Sequence, residues 1–396
     1  MLAPEPPYPL NGGGAFRTAS LVHYFARFAE IDLILFSDSG KPALLPPGLI
    51  RSQAVIPLPP HGKGTLERYF RNASRAARGV PPLIDRLAGF EEKINEIIAG
   101  RRYDLGVIEH FWCAPYVNEL RNFCASTILD LHNVESVLNE RCAAASRGLI
   151  AVGHRRFARM SQRLESTLLP EYSLVLATSE TDAARVSEIA PRARLAVYPN
   201  ALPPTEIPAV AEEDCVVFSA NFEYHPNIDA AGFLISEIWP LVRMEHPVLR
   251  LRLVGRGDAF IRRLIPAGAG IETTGPVEDA LNEIAKAKVV VAPLRAGSGT
   301  RIKILEAWAA AKPVIATPLA AEGLHVQGEG NILLEREPAA FAAAISRLLK
   351  DAGERQRIGA SGRHTFEDLY TWEKAWRGLD RELQVERPVQ LNRYTG

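Results

Sequence analysis

The run Pro293-Leu294-Arg295-Ala296-Gly297-Ser298-Gly299-Thr300-Arg301-Ile302-Lys303-Ile304-Leu305-Glu306-Ala307-Trp308 decides how the chain is read. It follows Val289–Ala292, a short apolar run of the kind buried on both faces of a parallel sheet. A Gly-rich turn comes next, then a helical pattern beginning near Thr300. Small residues let the backbone approach a ligand closely, and the free amides of a helix start bind anions. The charge is the informative feature. A helix N-terminus is electropositive and usually recruits Asp or Glu, yet this first turn carries Arg301 and Lys303. Each misplaced cation costs roughly 0.3–1 kcal/mol, and a bound dianion such as a pyrophosphate reverses the sign. Glu306 lies one turn beyond Lys303 on the same face, where a carboxylate can accept hydrogen bonds from two adjacent hydroxyls such as those of a ribose. A plain surface pair between Lys303 and Glu306 explains neither the glycines nor Arg301.

Working outward, strand-length apolar runs alternate with amphipathic stretches along the whole chain. Strands are predicted at Asp32–Phe36, Ala54–Leu58, Leu105–Glu109, Thr127–Leu131, Leu174–Ala177 and Leu195–Tyr198. Further ones fall at Val216–Ser219, Leu249–Val254, Val289–Ala292 and Pro313–Ala316. Helical patterns fill Arg17–Ala29, Leu83–Ala99, Ala183–Ile189, Ile228–Val242, Ile302–Ala310 and Pro338–Leu349. This order reads as α/β with doubly wound sheets. A proline-rich stretch from Pro199 to Glu213 reads as a linker, giving domains at 1–200 and 201–370. The last pattern, Tyr370–Leu383, places Trp372 and Trp376 on one helix face and must dock somewhere; the tail beyond Arg387 looks frayed. Few apolar residues precede Pro4, so a first strand would be very short.

Other strand ends carry candidates. Gly12-Gly13-Gly14 stands at the first strand-to-helix junction, where amides can close on a phosphate. Leu253-Val254-Gly255-Arg256-Gly257-Asp258 is similar to G-x-G-x-x-G, but Phe260 replaces the third glycine, which speaks against a nicotinamide dinucleotide site. His132, in Asp130-Leu131-His132-Asn133-Val134-Glu135, sits where an α/β sheet presents ligand-facing residues, and His110 ends the strand before it.

Composition bounds the rest. The 396 residues include 46 Lys+Arg against 46 Asp+Glu, and zero net charge argues against general nucleic-acid binding. Cys113, Cys124, Cys142 and Cys215 lie far apart without a C-x-x-C pair, so reduced thiols in a cytosolic protein are the simplest reading. No signal peptide or membrane span is legible. Residues 61–79 set Lys63, Arg68, Arg71, Arg75 and Arg78 against Glu67. Such a basic amphipathic helix can contact anionic membrane, though it also fits a solvated face.

At these residues the chain resembles the retaining glycosyltransferases of GT-B fold, family 4. The resemblance is carried by VVFSANFEYHPNIDA, LRLVGRGD, TGPVEDALNEIAKAKVVVAPLRAGSGTRIKILEAWAAAKPVIAT, AAEGL and ISRLLKDAGERQRIGASGR, and more weakly by the N-terminal PYPLNGGGAFRTASLVHYFARF. It implies two facing Rossmann-like domains with a cleft between them, an acceptor-side first domain, a nucleotide-sugar donor domain second, and residues 371–396 as a helix crossing back to the first domain plus a tail. It also implies roles: Glu306 on the donor ribose, Arg301 and Lys303 as diphosphate clamp, and Gly297, Ser298, Gly299 and Thr300 along the donor sugar and phosphate. Val277 would meet the base, Gly13 and Gly14 would close on the diphosphate, Gly255 would border the donor pocket, and His132 would lie near the donor sugar. Three departures stand out. Ser298 replaces the first glutamate of the family's Glu-x7-Glu, residues 220–227 supply no Arg or Lys, and the first strand is short. The expected activity is sugar transfer with retention from a nucleotide diphosphate sugar to a sugar or lipid-linked acceptor, in polysaccharide or glycolipid assembly. No cofactor, metal or nucleic acid is expected, and the place of action is the cytoplasm or the inner membrane face. A GT-B epimerase, an inverting transferase and a non-catalytic nucleotide-sugar-binding scaffold remain as alternatives.

Overall fold

The computed structural model describes the chain apart from Asn11, residues 61–64, Ser298, Thr300, Arg301 and residues 385–396, and apart from the side chains of Thr65, Leu66, Arg68, Tyr69 and Ala76. Contacts divide it into two compact units. The first holds Met1–Val134, Arg159–Asn200 and the helix Trp372–Glu382; the second holds Glu135–Ala158 and Ala201–Thr371.

The first unit is built on strands β1 (Leu2–Ala3), β2 (Asp32–Ser37), β3 (Ser52–Pro57), β4 (Tyr103–Glu109), β5 (Cys124–Asp130), β6 (Leu174–Ala177) and β7 (Leu195–Val197). They form a parallel sheet in the order β3-β2-β1-β4-β5-β6-β7. The two-residue β1 is central rather than peripheral. Leu2 pairs with both Ile34 and Ile108, and Leu2 and Ala3 are buried. The helix Gly13–Ala26 follows the turn at Gly12 and buries Leu21, Val22 and Phe25. On its opposite side Ser20 accepts hydrogen bonds from Tyr198 Oη (2.7 Å) and Trp376 Nε1 (3.0 Å), and His23 lies against Trp372 with ring centres 5.1 Å apart. The paired tryptophans of the last helix therefore dock on this first helix.

The second unit repeats the plan with β8 (Cys215–Ser219), β9 (Arg250–Val254), β10 (Ile271–Gly275), β11 (Val289–Ala292), β12 (Val314–Ala316) and β13 (Leu333–Leu334). These are parallel, in the order β10-β9-β8-β11-β12-β13. In both sheets the order reverses beside the first strand, which opens a crevice at the strand C-termini where such sheets hold ligands.

The predicted strands all exist, with ends shifted by a few residues. β10 and β13 lie at sheet edges; β10 is the polar IETTG and β13 has two residues, so neither shows a buried-strand run. The expected helix Leu83–Ala99 is two helices, Pro82–Leu87 and Glu91–Ile98, because Gly89 between them takes φ 88°. The stretch Ile228–Val242 is helical throughout, but Leu234–Ile238 widens into a π-turn just ahead of Pro240, whose ring nitrogen has no hydrogen to donate. The helices Glu135–Ala145, Gly148–Leu168 and Ala352–Leu369 were not foreseen. Residues 203–213 form neither helix nor strand.

The turn after β9 is closed by backbone. Gly255 takes φ 131°, and a Cβ there would stand 2.1 Å from the carbonyl oxygen of Ala220 in the loop after β8. Gly255 therefore lets two strand-end loops touch. The variant Gly255→Ala is expected to lose ~1–3 kcal/mol of stability in urea denaturation; an unchanged midpoint would show that these loops are not pressed together.

Candidate functional site

Each unit gathers its candidate residues at strand C-termini. In the first unit the focus is a buried set of charges. Arg17, on the helix after the Gly12 turn, clamps Asp130 at the end of β5 through Nε (2.7 Å) and Nη2 (2.5 Å). Its Nη1 donates to the carbonyl of Tyr198 (2.7 Å) and to Asn200 Oδ1 (2.9 Å), and the guanidinium lies 4.6 Å over the Tyr198 ring. His132 Nε2 stands 3.1 Å from Glu109 and 3.3 Å from Asp130, and Thr18 donates to the same Glu109 oxygen at 3.0 Å. Two cations thus balance two carboxylates with almost no water contact.

Burial alone would depress the His132 pKa, but the hydrogen bonds to Asp130 and Glu109 outweigh it and push it up to about 9. His132 is an imidazolium at neutral pH. Burial, then Asp130, raises the pKa of Glu109; Asp130 is held below its usual range because Arg17 and His132 overcome the cost of burial. Glu109, Asp130 and His132 place donor atoms within 4.8 Å of one another. Arg17 and protonated His132 already neutralise both carboxylates, so the set is a poor cation site. Glu109 Oε1 and His110 Nδ1 are buried without a hydrogen-bond partner among the described residues, and His110 adopts φ 70°, rare for a residue with a side chain. Gly14 faces this group: a Cβ there would lie 3.7 Å from His132 Nδ1. The helix beginning at Gly13 has no acidic residue or side-chain cap in its first turn. Gly14 and His132 are therefore neighbours.

In the second unit the helix Ile302–Ala309 starts after the Gly-rich turn, and it too has no acid in its first turn. Lys303 Nζ donates to Asn227 Oδ1 at 2.8 Å and lies 5.1 Å over the ring of Phe218 on β8. The loop after β8 has no cation of its own, and Lys303 brings one to it. Asn227 is pre-oriented because its amide donates to the Asn221 carbonyl at 2.8 Å. Glu306 is half-buried, and its carboxylate accepts no hydrogen bond among the described residues. Desolvation pushes its pKa up to about 7, against the pull of Lys303 and with added repulsion from Asp279. Asp279 follows the half-buried Val277 in the loop after β10 and caps the helix Ala280–Ala285. Gly297 (φ 123°) and Gly299 (φ 74°) shape the turn, whose Gly297 carbonyl accepts a 2.9 Å bond from Arg141. Arg141 also forks onto Glu322 at 2.7 and 2.9 Å. Ser298, Thr300 and Arg301 lie outside the described residues.

Arg17, Glu109, Asp130, Asn227 and Arg141 escaped sequence reading. The available signal was weak: an Arg four residues beyond Gly13 in an otherwise apolar helix, and acids ending two successive strands. The basic stretch reads differently in three dimensions. Arg75 and Arg78 both pair with Asp85 at 2.8 Å, and Arg71 is half-buried; Lys63 and the Arg68 side chain lie outside the described residues.

Two outcomes are expected. Arg17→Met leaves Asp130 buried without its cation and should cost ~3–5 kcal/mol in denaturant unfolding, with much of it recovered in Arg17→Met/Asp130→Leu. A single variant as stable as the parent would show that the cluster is hydrated. Second, Glu306 holds its proton up to about pH 7 in the folded state and only to 4.5 when unfolded. Its stabilising contribution is complete below 4.5 and is lost as pH rises through 7, by at most about 3 kcal/mol. Thermal unfolding across pH 4–8 should show this slope, and Glu306→Gln should remove it.

Residues 213–351 match the family model described as glycosyl transferases group 1. The exopolysaccharide phosphotransferase SCO2592 of Streptomyces coelicolor is 29% identical over 167 residues, covering 40% of this chain and 17% of that protein. The chain thus spans about one sixth of that relative's length. Among solved structures, a sucrose-phosphate synthase from Thermosynechococcus elongatus superposes with TM-score 0.73 at 18% identity, covering 97% of each chain. The Anabaena protein HepE in complex with UDP and glucose gives TM-score 0.64 at 17% identity, covering 97% of this chain and 99% of that one. A trehalose-6-phosphate structure from E. coli bound with UDP-2-fluoro glucose gives 0.65 at 14%, covering 98% and 99%. The two parallel sheets match the GT-B fold of these structures, and residues 213–351 carry the similarity to the glycosyl transferases group 1 family.

Proposed function

We propose that the chain transfers a hexosyl group from a nucleoside diphosphate sugar to an acceptor hydroxyl, with retention and without a metal. The observation that carries this reading is the pairing of Lys303 and Glu306 on one helix start at the crevice of the second sheet. Lys303 offers an ammonium in the first turn of a helix, which suits the diphosphate leaving group. Glu306 offers a carboxylate without donors, which suits two ribose hydroxyls. Arg301, by its place in the sequence, adds a second cation, so the charge a divalent ion could meet is met by side chains. Gly297, Gly299, Ser298 and Thr300 line the sugar and phosphate in this reading, with Val277 at the base and Gly255 as a packing residue of the neighbouring turn.

Breaking the glycosyl–phosphate bond develops positive charge on the sugar and negative charge on the leaving phosphate. An imidazolium at His132 donates hydrogen bonds and does not take a proton, so it orients the sugar rather than activating the acceptor. That supports retention, with the leaving phosphate accepting the acceptor's proton, over an inverting reaction that needs a base. Gly13 and Gly14 begin an uncapped helix of the first unit whose amides suit a phosphate. UDP in two of the solved relatives supports a uridine donor, and the Streptomyces relative supports an acceptor in exopolysaccharide assembly. None of the four cysteines is in a disulfide, which suits a cytoplasmic location. Lipid contact through residues 61–79 is less favoured, since Asp85 already engages Arg75 and Arg78. No helix among the described residues is long and apolar enough to cross a membrane.

A thermal-shift panel of UDP, GDP, ADP and dTDP tests the reading. The cognate nucleotide at 100-fold its Kd should add about 2.7 kcal/mol, and Lys303→Ala should weaken that binding while leaving the fold intact. Saturable binding with no release of sugar from the matching donor would support a non-catalytic scaffold; no shift with any nucleotide would overturn the proposal.

A further inference from the structure

The second unit also brings together three residues outside the nucleotide crevice. Cys142 is buried on the helix Glu135–Ala145, His154 is half-buried on the helix Gly148–Leu168, and His225 is exposed as the first residue of the helix His225–Phe233. One donor atom from each lies within 4.8 Å of the others. A tetrahedral zinc with bonds of ~2.0–2.3 Å holds its donors roughly 3.3–3.7 Å apart, so small side-chain rotations close the set. Cys142 is in no disulfide.

The surroundings favour a metal over a chance cluster. His154 Nδ1 is 3.1 Å from Asn139 Oδ1, and the Asn139 amide donates to the Glu135 carbonyl at 2.9 Å. That second bond fixes the Asn139 oxygen toward the ring, so Nδ1 carries the hydrogen and Nε2 keeps its lone pair. An oriented imidazole of this kind is the usual second-layer arrangement of a metal-ligating histidine. The two imidazole rings lie tilted at 47° with centres 5.6 Å apart. Two imidazoles and one thiolate form a borderline-soft set suited to zinc.

We propose that Cys142, His154 and His225 bind a zinc ion that fastens the hairpin 135–158 to the helix His225–Phe233. One coordination position is left to water or another ligand. The consequence reaches the Gly-rich turn. Arg141, adjacent to Cys142, holds the Gly297 carbonyl; Asn227, two residues beyond His225, holds Lys303. Arg141 and Asn227 are positioning residues, and the metal would fix the two helices that carry them. Metal binding itself stands independently of sugar transfer.

The test uses full-length protein stripped with a chelator and titrated with Co²⁺, then Zn²⁺. One equivalent of Co²⁺ should give the visible spectrum of a tetrahedral site with a thiolate-to-cobalt charge-transfer band, and Zn²⁺ should displace it and raise the melting temperature. Cys142→Ser should abolish the charge-transfer band. His225→Ala, an exposed substitution that leaves the core untouched, should abolish stoichiometric binding, and Asn139→Ala should weaken it about 10–100-fold. Co²⁺ binding that lacks the charge-transfer band, or that is unchanged in His225→Ala and Cys142→Ser, would overturn the site. So would failure of the stripped protein to take up one equivalent.

Discussion

A cation at the electropositive start of a helix is the constraint around which the second unit is organised. Lys303 is stabilised from one side by Asn227 Oδ1 and the face of Phe218, both contributed by β8 and the helix that follows it. The dipole of its own helix opposes it, at roughly 0.3–1 kcal/mol. One turn along, Glu306 is sunk far enough for its pKa to rise to about 7 while its carboxylate lacks hydrogen-bond donors among the described residues. The two groups carry opposite demands: an ammonium suits an anion, and a carboxylate without donors suits hydroxyls. The parallel sheet makes this unavoidable, because strands buried on both faces leave only their C-terminal ends for polar chemistry.

The first unit resolves its buried charge internally. Arg17, Asp130, His132 and Glu109 neutralise one another, and the geometry is fixed by the Tyr198 carbonyl, Asn200 and Thr18. Such a cluster is weak evidence for stability, since an apolar replacement of similar shape can do as well. Its value lies in orientation: it holds an imidazolium next to Gly14 at the start of an uncapped helix.

Most of the architecture was legible because buried strands announce themselves. Val289–Ala292 and Leu174–Ala177 were read to the residue. β10 was missed because an edge strand needs only one apolar partner, and IETTG carries little hydrophobic signal. The helix Glu135–Ala145 was missed because it has no sustained apolar stripe. At the site, Lys303 and Glu306 could be found because a wrong-signed charge beside a Gly-rich turn is a local feature. Arg17 and Asp130 could not, because they are 113 residues apart and meet only once β5 lies beside β4 and β1 is in place. The same holds for Lys303 and Asn227, 76 residues apart.

The most direct measurement is a crystal structure with a nucleoside diphosphate bound. A diphosphate oxygen should lie at about 2.7–2.9 Å from Lys303 Nζ, with both ribose hydroxyls donating to Glu306. Nucleotide bound elsewhere, with Lys303 still on Asn227 and Glu306 untouched, would contradict the assignment of this helix start as the donor site.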